Sequence, residues 1–236
     1  MQIEDEGYSS FLENGYLKFN AYNLAEYKRI KSFSLNWVNS LFKPWCEISL
    51  KKYSIEQYHK WFSLLPNKHR EILSAENRHI SMDKDLNKLI LNKTIKQALK
   101  YLGLGKYKLW DEGLGNLAFR LIRPNFSDGY PFSCKAWGPA KNVYSIWIPI
   151  VGHGSNETIN LLPKSHLEKF NKYLPKNTKF CKDEYRLEKN PSPEECFRPE
   201  FRPGEVLIFH PRLIHSEDVT FGDTTRFNLE FRMNLA

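Results

Sequence analysis

Two groups of residues in this 236-residue chain have the types and spacing to do chemistry. The first lies near the C-terminus, where His215 is followed by Arg226, Asn228 and Glu230 in the run RFNLEFRM. A guanidinium is planar and pairs bidentately with a carboxylate or phosphate, so Arg226 is a candidate anchor for an anionic small molecule. The second group is Ser133, Lys135 and Trp137 in the string FSCKAW. Imidazole and amine side chains move protons near neutral pH when their surroundings tune them, so His215 and Lys135 are the candidate catalytic groups. Ser133, Trp137, Arg226, Asn228 and Glu230 are the candidate ligand-binding residues.

These residues need strands to position them. In RFNLEFRM, Phe227, Leu229, Phe231 and Met233 alternate with Arg226, Asn228, Glu230 and Arg232. Period 2 of this kind makes a strand with unlike faces. The polar face either meets solvent or lines the inside of a small barrel that holds a ligand. Spacing by two also puts Ser133, Lys135 and Trp137 on one strand face. Upstream of His215, Pro203-Gly204 is a turn former that leads into the apolar run EVLIF, 205–209. LAFRLI (117–122), 132–137, VYSIWIPIV (143–151) and 160–162 read as further strands.

The first half reads differently. Asn14-Gly15 marks a turn before a short strand. Asn23 caps a predicted helix from Leu24 to about Phe42, which Pro44 stops. Ser54 with Gln57 predicts a capping box for a helix through Trp61 and Phe62. Residues 85–104 predict one further helix with Leu86, Leu89, Ile90, Ile95, Leu99 and Leu102 on one side, closed by Gly103 and Gly105. His59, His69 and His79 read as surface residues. The reading is therefore one domain over 1–236: a helical part, 1–108, packed on the outside of a β-core, 109–236, with a long polar insert, 166–200, that is either a lid or a surface insert.

These motifs resemble the phytanoyl-CoA-dioxygenase-like branch of the iron(II)- and 2-oxoglutarate-dependent oxygenases. The carriers are Pro203-Gly204, the strand after it, His215 and Arg226, together with Trp147-Ile148-Pro149 and Pro163-Lys164-Ser165-His166. In the last of these lysine replaces the family's glycine. The resemblance implies a mainly β fold with flanking helices: a double-stranded β-helix, or cupin-like jelly roll. It implies His215 as an iron ligand and Arg226 as partner of the distal carboxylate of 2-oxoglutarate. It also implies a His-x-Asp pair on the strand ahead of Trp147. Fourteen residues before Trp147 the sequence instead reads Ser133-Cys134-Lys135.

That departure changes the expected chemistry. Such an iron centre needs two histidines and a carboxylate on one face of the metal. A hydroxyl is a poor ligand unless deprotonated. An ammonium about 4 Å from a divalent ion is repelled by roughly 8 kcal/mol at an effective dielectric near 20. His215 alone does not hold iron, and it is the single metal ligand expected if any metal binds. The expectation is an oxygenase-like protein without bound iron or 2-oxoglutarate, acting on or binding an anionic small molecule. Lys135 would have its charge balanced by Glu230 or by the ligand. Resemblance to proteins of aminosugar and surface-polysaccharide pathways points to a sugar or sugar nucleotide. Two alternatives stand beside it. One is an active hydroxylase that uses iron(II), 2-oxoglutarate and non-standard ligands drawn from Asp128 at the barrel mouth, His153 in an exposed loop, Glu157 and His210. The other is a non-catalytic binding protein.

Composition sets the remaining bounds. Hydrophobic residues make up 41% and charged residues 26%, ordinary for a soluble globule, and 14% aromatics suit a β-rich core. The formal charge is +8, but its 35 basic residues are scattered, and no nucleic-acid-binding signature accompanies them. The acidic N-terminus is no signal peptide, and no apolar run is long enough for a bilayer. The four cysteines show no pairing or zinc spacing. These features predict a cytoplasmic protein with free thiols and with neither nucleic acid nor membrane as partner. The sequence assigns no oligomeric state.

Overall fold

A computed structural model describes residues 5–42, 54–61, 67–73, 83–109, 116–129, 131–134, 142–154, 158–167, 173, 187–217 and 222–235. Helices α1 (Asp5–Asn14) and α2 (Leu24–Phe42) flank strand β1 (Tyr16–Asn20). Then come α3 (Tyr58–Trp61), α4 (67–73), α5 (Lys84–Ile90) and α6 (Lys93–Tyr101). The rest is β: β2 (Tyr107–Leu109), β3 (Leu117–Ile122), β4 (Val143–Val151), β5 (Asn160–Leu161), β6 (Glu205–Phe209), β7 (His215–Ser216) and β8 (Arg226–Leu235).

Two antiparallel sheets result. The larger runs β1-β6-β4-β8, with β2 and β3 both pairing along the far edge of β8. The smaller is β5 with β7, extended by single-residue bridges from Ser133 to His215 and from Phe197 to Leu161. The Gly204 turn into β6 of the larger sheet follows the sequence expectation. At φ +94° a Cβ there would lie 2.2 Å from the Tyr22 carbonyl oxygen, so only glycine lets the chain turn into β6.

The larger sheet has two unlike faces. Phe227, Leu229, Phe231 and Met233 of β8, with Phe119, Ile146, Ile148 and Ile208, share one core with helical residues such as Ile30, Val38, Phe42, Ile90, Ile95 and Leu99. The helices reach that core through an i, i+4 stripe. In α2 the buried residues are Ile30, Ser34, Val38 and Phe42. Its start is capped as predicted: Asn23 Oδ1 accepts from Glu26 N–H, and Glu26 returns a bond to Asn23 N–H. The opposite sheet face carries a smaller cluster, Trp147, Leu207 and Phe209, which packs with Ile159, Leu161 and Leu213 around the smaller sheet. The space between the two sheets is therefore lined by that second face, and this is where the polar side of β8 points.

Several local expectations need correction. A helix, α1, precedes the Asn14-Gly15 turn. Ser54 makes no side-chain cap bond and opens only a 3-10 turn, Ile55–Gln57, ahead of α3. The predicted helix over 85–104 is two helices. Leu91 leaves helical geometry, and Asn92 becomes the cap of α6 by accepting from Ile95 N–H. A side chain that caps competes with helix continuation, and an apolar stripe alone does not register that. His69 is not on the surface: it is fully buried, with Nε2 at 3.0 Å from the Tyr58 hydroxyl. His59 is half-buried, its Nδ1 taking the Thr225 hydroxyl at 3.0 Å. Residues 163–166 form a turn, and His166 closes it. Within it Lys164 adopts φ +68°, the left-handed conformation that glycine would occupy without strain. Within the predicted insert, 187–200 is docked onto the smaller sheet through Phe197, and Tyr173 is buried. His79 and the remainder of that insert lie outside the described residues.

Candidate functional site

The polar face of β8 is not solvated. Arg226 is 1% exposed, Asn228 0%, Glu230 7% and Arg232 6%. Strand register explains what they meet. Across β3, Asn228 stands opposite Arg120 and Glu230 opposite Ala118. Across β4, Arg232 stands opposite Ser145, Glu230 opposite Trp147 and Asn228 opposite Pro149. Directly paired residues share a face, so Arg120, Ser145 and Trp147 join the β8 side chains between the sheets.

At one end the charges answer each other. Glu230 accepts from Arg120 Nη2 at 2.9 Å, from Arg232 Nη2 at 2.9 Å and Nε at 3.1 Å, and from the Ser145 hydroxyl at 2.9 Å. Glu217 comes in from the smaller sheet, accepting from Trp147 Nε1 at 3.3 Å and lying 3.7 Å from Arg120 Nε. Glu230 is thus engaged by two guanidiniums; the expectation that it balances Lys135 falls on a residue outside those described. Lys135 and Trp137 themselves lie outside the described residues.

His215 and Ser133 are brought together. Ser133 N–H donates to the His215 carbonyl oxygen at 2.9 Å, and the Ser133 carbonyl oxygen accepts from His215 N–H at 3.0 Å. On the other side His215 pairs with Leu161. The His215 ring packs against Phe209 at 4.7 Å, and its Nδ1 is 2.8 Å from the Leu213 carbonyl oxygen. That carbonyl only accepts, so Nδ1 carries the proton and Nε2 is the basic nitrogen. Glu217, two residues on and just past β7, is buried.

Arg226 begins β8 at the other end. Its Nη1 donates to the Thr158 carbonyl oxygen at 2.8 Å. The loop Gly152-His153-Gly154 is pressed against it. Gly152 has φ +74°, and a Cβ there would stand 2.5 Å from the Thr225 carbonyl oxygen and 2.9 Å from Arg226 Cα. This close approach corrects the expectation of an exposed loop histidine. His153 Nε2 donates to the Phe227 carbonyl oxygen at 2.8 Å, and its ring meets Trp147 edge-on at 4.8 Å. Burial, then the nearby Arg226, push its pKa down to about 3, so the ring is neutral near pH 7. Its Nδ1 is buried without a hydrogen-bond partner, as are both amide atoms of Asn228 and the Thr158 hydroxyl.

The other candidate ligands are placed elsewhere. Asp128 is not at a barrel mouth: it is buried, held by Arg123 Nε at 2.7 Å and Nη2 at 2.8 Å, with His69 Nδ1 3.5 Å away. Burial would raise its pKa, but the bonds from Arg123 and His69 prevail and hold it at about 2. His210 accepts from Arg212 N–H and lies beside His166, with ring centres 5.2 Å apart. Burial and these neighbours lower its pKa to about 4. Glu157 lies outside the described residues. Among the described residues no three His, Cys, Asp or Glu side chains come together to hold a metal ion, and no helix is long and apolar enough to cross a membrane. Cys134 is buried and Cys196 half-buried.

Sequence reasoning missed Arg120, Ser145 and Glu217. Arg120 had a signal, as the one charge in LAFRLI; Glu217 had none, because its strand is two residues long.

No protein-family model matches the sequence, and neither does any curated protein. Solved structures do match in fold. The non-haem α-ketoglutarate-dependent carbocyclase SnoK of nogalamycin biosynthesis aligns over 100% of this chain and 85% of its own, with TM-score 0.58 and 16% identity. EctD from S. alaskensis, solved with 2-oxoglutarate and 5-hydroxyectoine, aligns over 99% and 76% with TM-score 0.62 and 12% identity. AviO1 from Streptomyces viridochromogenes aligns over 97% and 93% with TM-score 0.61 and 13% identity. The chain therefore shares the fold of non-haem iron, 2-oxoglutarate-dependent enzymes: mainly antiparallel sheet with flanking helices.

Proposed function

We propose that this chain is an iron-free derivative of that fold, a single-domain double-stranded β-helix of the phytanoyl-CoA-dioxygenase-like type. Its interior takes an anionic small molecule at Arg226. The observation that carries this reading is the backbone pairing of Ser133 with His215. The sequence reading places the lost histidine of the His-x-Asp pair at Ser133, and the pairing puts that serine directly across from the remaining histidine. One imidazole and a neutral hydroxyl do not fit an iron centre that needs two imidazoles and a carboxylate. What supports an anion as ligand is that, among the described residues, Arg120, Arg226 and Arg232 line the interior together with Glu217 and Glu230. Turnover, where it occurs, falls to His215 and Lys135 as proton-transfer groups.

The test is metal analysis of protein produced with supplemented iron(II), with a 2-oxoglutarate decarboxylation assay and an anion thermal-shift screen on the same preparation. Iron far below one equivalent, no decarboxylation above blank, and anion stabilisation that disappears in Arg226→Gln support the proposal. One iron per chain with turnover overturns it. That result would establish the second reading, an active hydroxylase with unusual ligands, which draws on the buried carboxylate of Glu217 two residues past His215.

A further inference from the structure

Composition alone does not predict a membrane partner, because the 35 basic residues look scattered along the chain. One stretch departs from that scatter. Residues 84–108 carry seven lysines against one aspartate, +6 of the chain's formal +8. All seven, Lys84, Lys88, Lys93, Lys96, Lys100, Lys106 and Lys108, are exposed. On α6, Lys93, Lys96 and Lys100 fall within about 60° of one another around the helix axis. They point away from Ile95, Ala98 and Leu99, which the core takes. Among the described residues no carboxylate pairs with any of the seven. Asp83 is spent on capping α5, and Glu26 on the Asn23 N–H and the Asn92 amide. The arrangement works against the helices. Lys84 with Lys88 and Lys96 with Lys100 are like charges at i, i+4, and Lys93 with Lys96 at i, i+3. Lys93 also stands in a first turn that holds no acid, where the helix dipole disfavours a cation. Folding gives no reason to keep such a face. Beside it, at the C-terminal end of α6, lie three of the six exposed large apolar side chains among the described residues. These are Tyr8, Leu109 and Leu235, 39%, 42% and 38% exposed. The Tyr8 ring meets Tyr101, the last residue of α6, edge-on at 5.8 Å. Leu109 ends β2, and Leu235 is the register partner of Tyr107 on that strand.

We infer that this face docks the protein on an anionic membrane surface. The α6 lysines meet the lipid headgroups, and Tyr8, Leu109 and Leu235 enter the boundary between headgroups and acyl chains. Because the apolar side of α6 is committed to the core, the helix rests on the surface rather than entering it, and the attachment is reversible. A nucleic acid fits less well. The charges are all ammonium groups, no exposed aromatic side chain lies between the α6 lysines to stack a base, and exposed leucines gain nothing against phosphates. Charge and exposed apolar area side by side are what an anionic bilayer rewards. The helices cover one face of the larger sheet, so docking here leaves the space between the two sheets, on the other face, undisturbed.

The test is co-sedimentation of the full chain with vesicles of phosphatidylcholine alone and with about one-third phosphatidylserine. Binding is expected to the anionic vesicles only, and to be lost on raising salt from about 0.1 M to about 1 M, which screens the lysines. Lys93→Gln with Lys96→Gln and Lys100→Gln is expected to weaken it about a hundredfold, at roughly fivefold for each ammonium near the surface. All three side chains are exposed, so the variant keeps its fold, which circular dichroism checks. Leu109→Ser with Leu235→Ser is expected to weaken binding by about tenfold. Removing two exposed charges on the side of the smaller sheet, Lys189→Gln with Arg202→Gln, is expected to change it by less than about threefold, because they lie beyond the screening length of the membrane. No binding to anionic vesicles at low salt overturns the inference, as does equal binding to neutral ones. Undiminished binding by the triple lysine variant overturns the assignment to this face. Duplex DNA that strips the chain from anionic vesicles at equal phosphate concentration gives the face to nucleic acid instead. Each of these failures leaves the reading of the interior standing.

Discussion

The two ends of the interior are made of the same materials and are finished differently. Around Glu230, two guanidiniums and a hydroxyl saturate one carboxylate. Around Arg226, an amide, an imidazole nitrogen and a hydroxyl are buried with nothing to bond. Both ends lie on one strand, four residues apart, so neither propensity nor pattern distinguishes them. The difference lies in who supplies the partner. At the Glu230 end the chain supplies it and gains a fixed structure. At the Arg226 end, among the described residues, the amide of Asn228, His153 Nδ1 and the Thr158 hydroxyl go without one, and the fold bears the cost.

That contrast predicts opposite responses to removing a polar group. Glu230→Ala strands Arg120 and Arg232 without their shared carboxylate and is expected to cost about 3–5 kcal/mol of stability, read by denaturant unfolding. Part of that loss should return in acetate or formate, which can occupy the vacated seat. A loss below about 1 kcal/mol would show that the cluster is not a closed network.

Acidification comes next in size. His153 and His210 have folded pKa values of about 3 and 4, below the roughly 6.5 expected when unfolded. The unfolded chain therefore takes up protons first, and stability falls as pH drops below about 6.5, continuing towards pH 4 and 3. By pH 5 the loss is on the order of 2 kcal/mol for each ring at most, since both are half-buried rather than sealed. Asp128 has its pKa lowered to about 2, so its contribution survives this range and fades only below about pH 4. His153→Phe should flatten the upper part of the curve; an unchanged curve would remove His153 from the account.

The smallest effect has the opposite sign. Asn228→Leu replaces an unsatisfied buried amide with an apolar group of similar volume and is expected to raise stability by roughly 1 kcal/mol. Destabilisation by Asn228→Leu would mean that the amide already has a partner and that the two ends do not differ.

Much of this was legible in the chain. The alternation in 226–233 identified the two faces of β8, and the runs 117–122, 143–151 and 205–209 matched their strands, because long alternating or apolar stretches state their period. The alternation put Arg226, Asn228 and Glu230 on one face but left solvent and barrel interior both open; only their burial decides for the interior. What failed was chemistry decided by distant partners. His69 reads as a surface residue until Asp128 and Tyr58 are found around it. Ser54 has a capping residue's identity without its bond, and Asn92 has the bond where an apolar stripe predicted an unbroken helix. His153 lies between two glycines, which suggests an exposed turn; only the close approach of Gly152 to β8 reveals that the ring is turned in against Trp147 and the Phe227 carbonyl.

The central claim is that the place opposite His215 no longer supports iron. The most direct measurement is an anaerobic iron(II) titration, in the presence of 2-oxoglutarate, of the natural chain and of a double variant, Ser133→His with Lys135→Asp. The account predicts no stoichiometric uptake by the natural chain and about one equivalent in the variant. One equivalent held by the natural chain itself would contradict it.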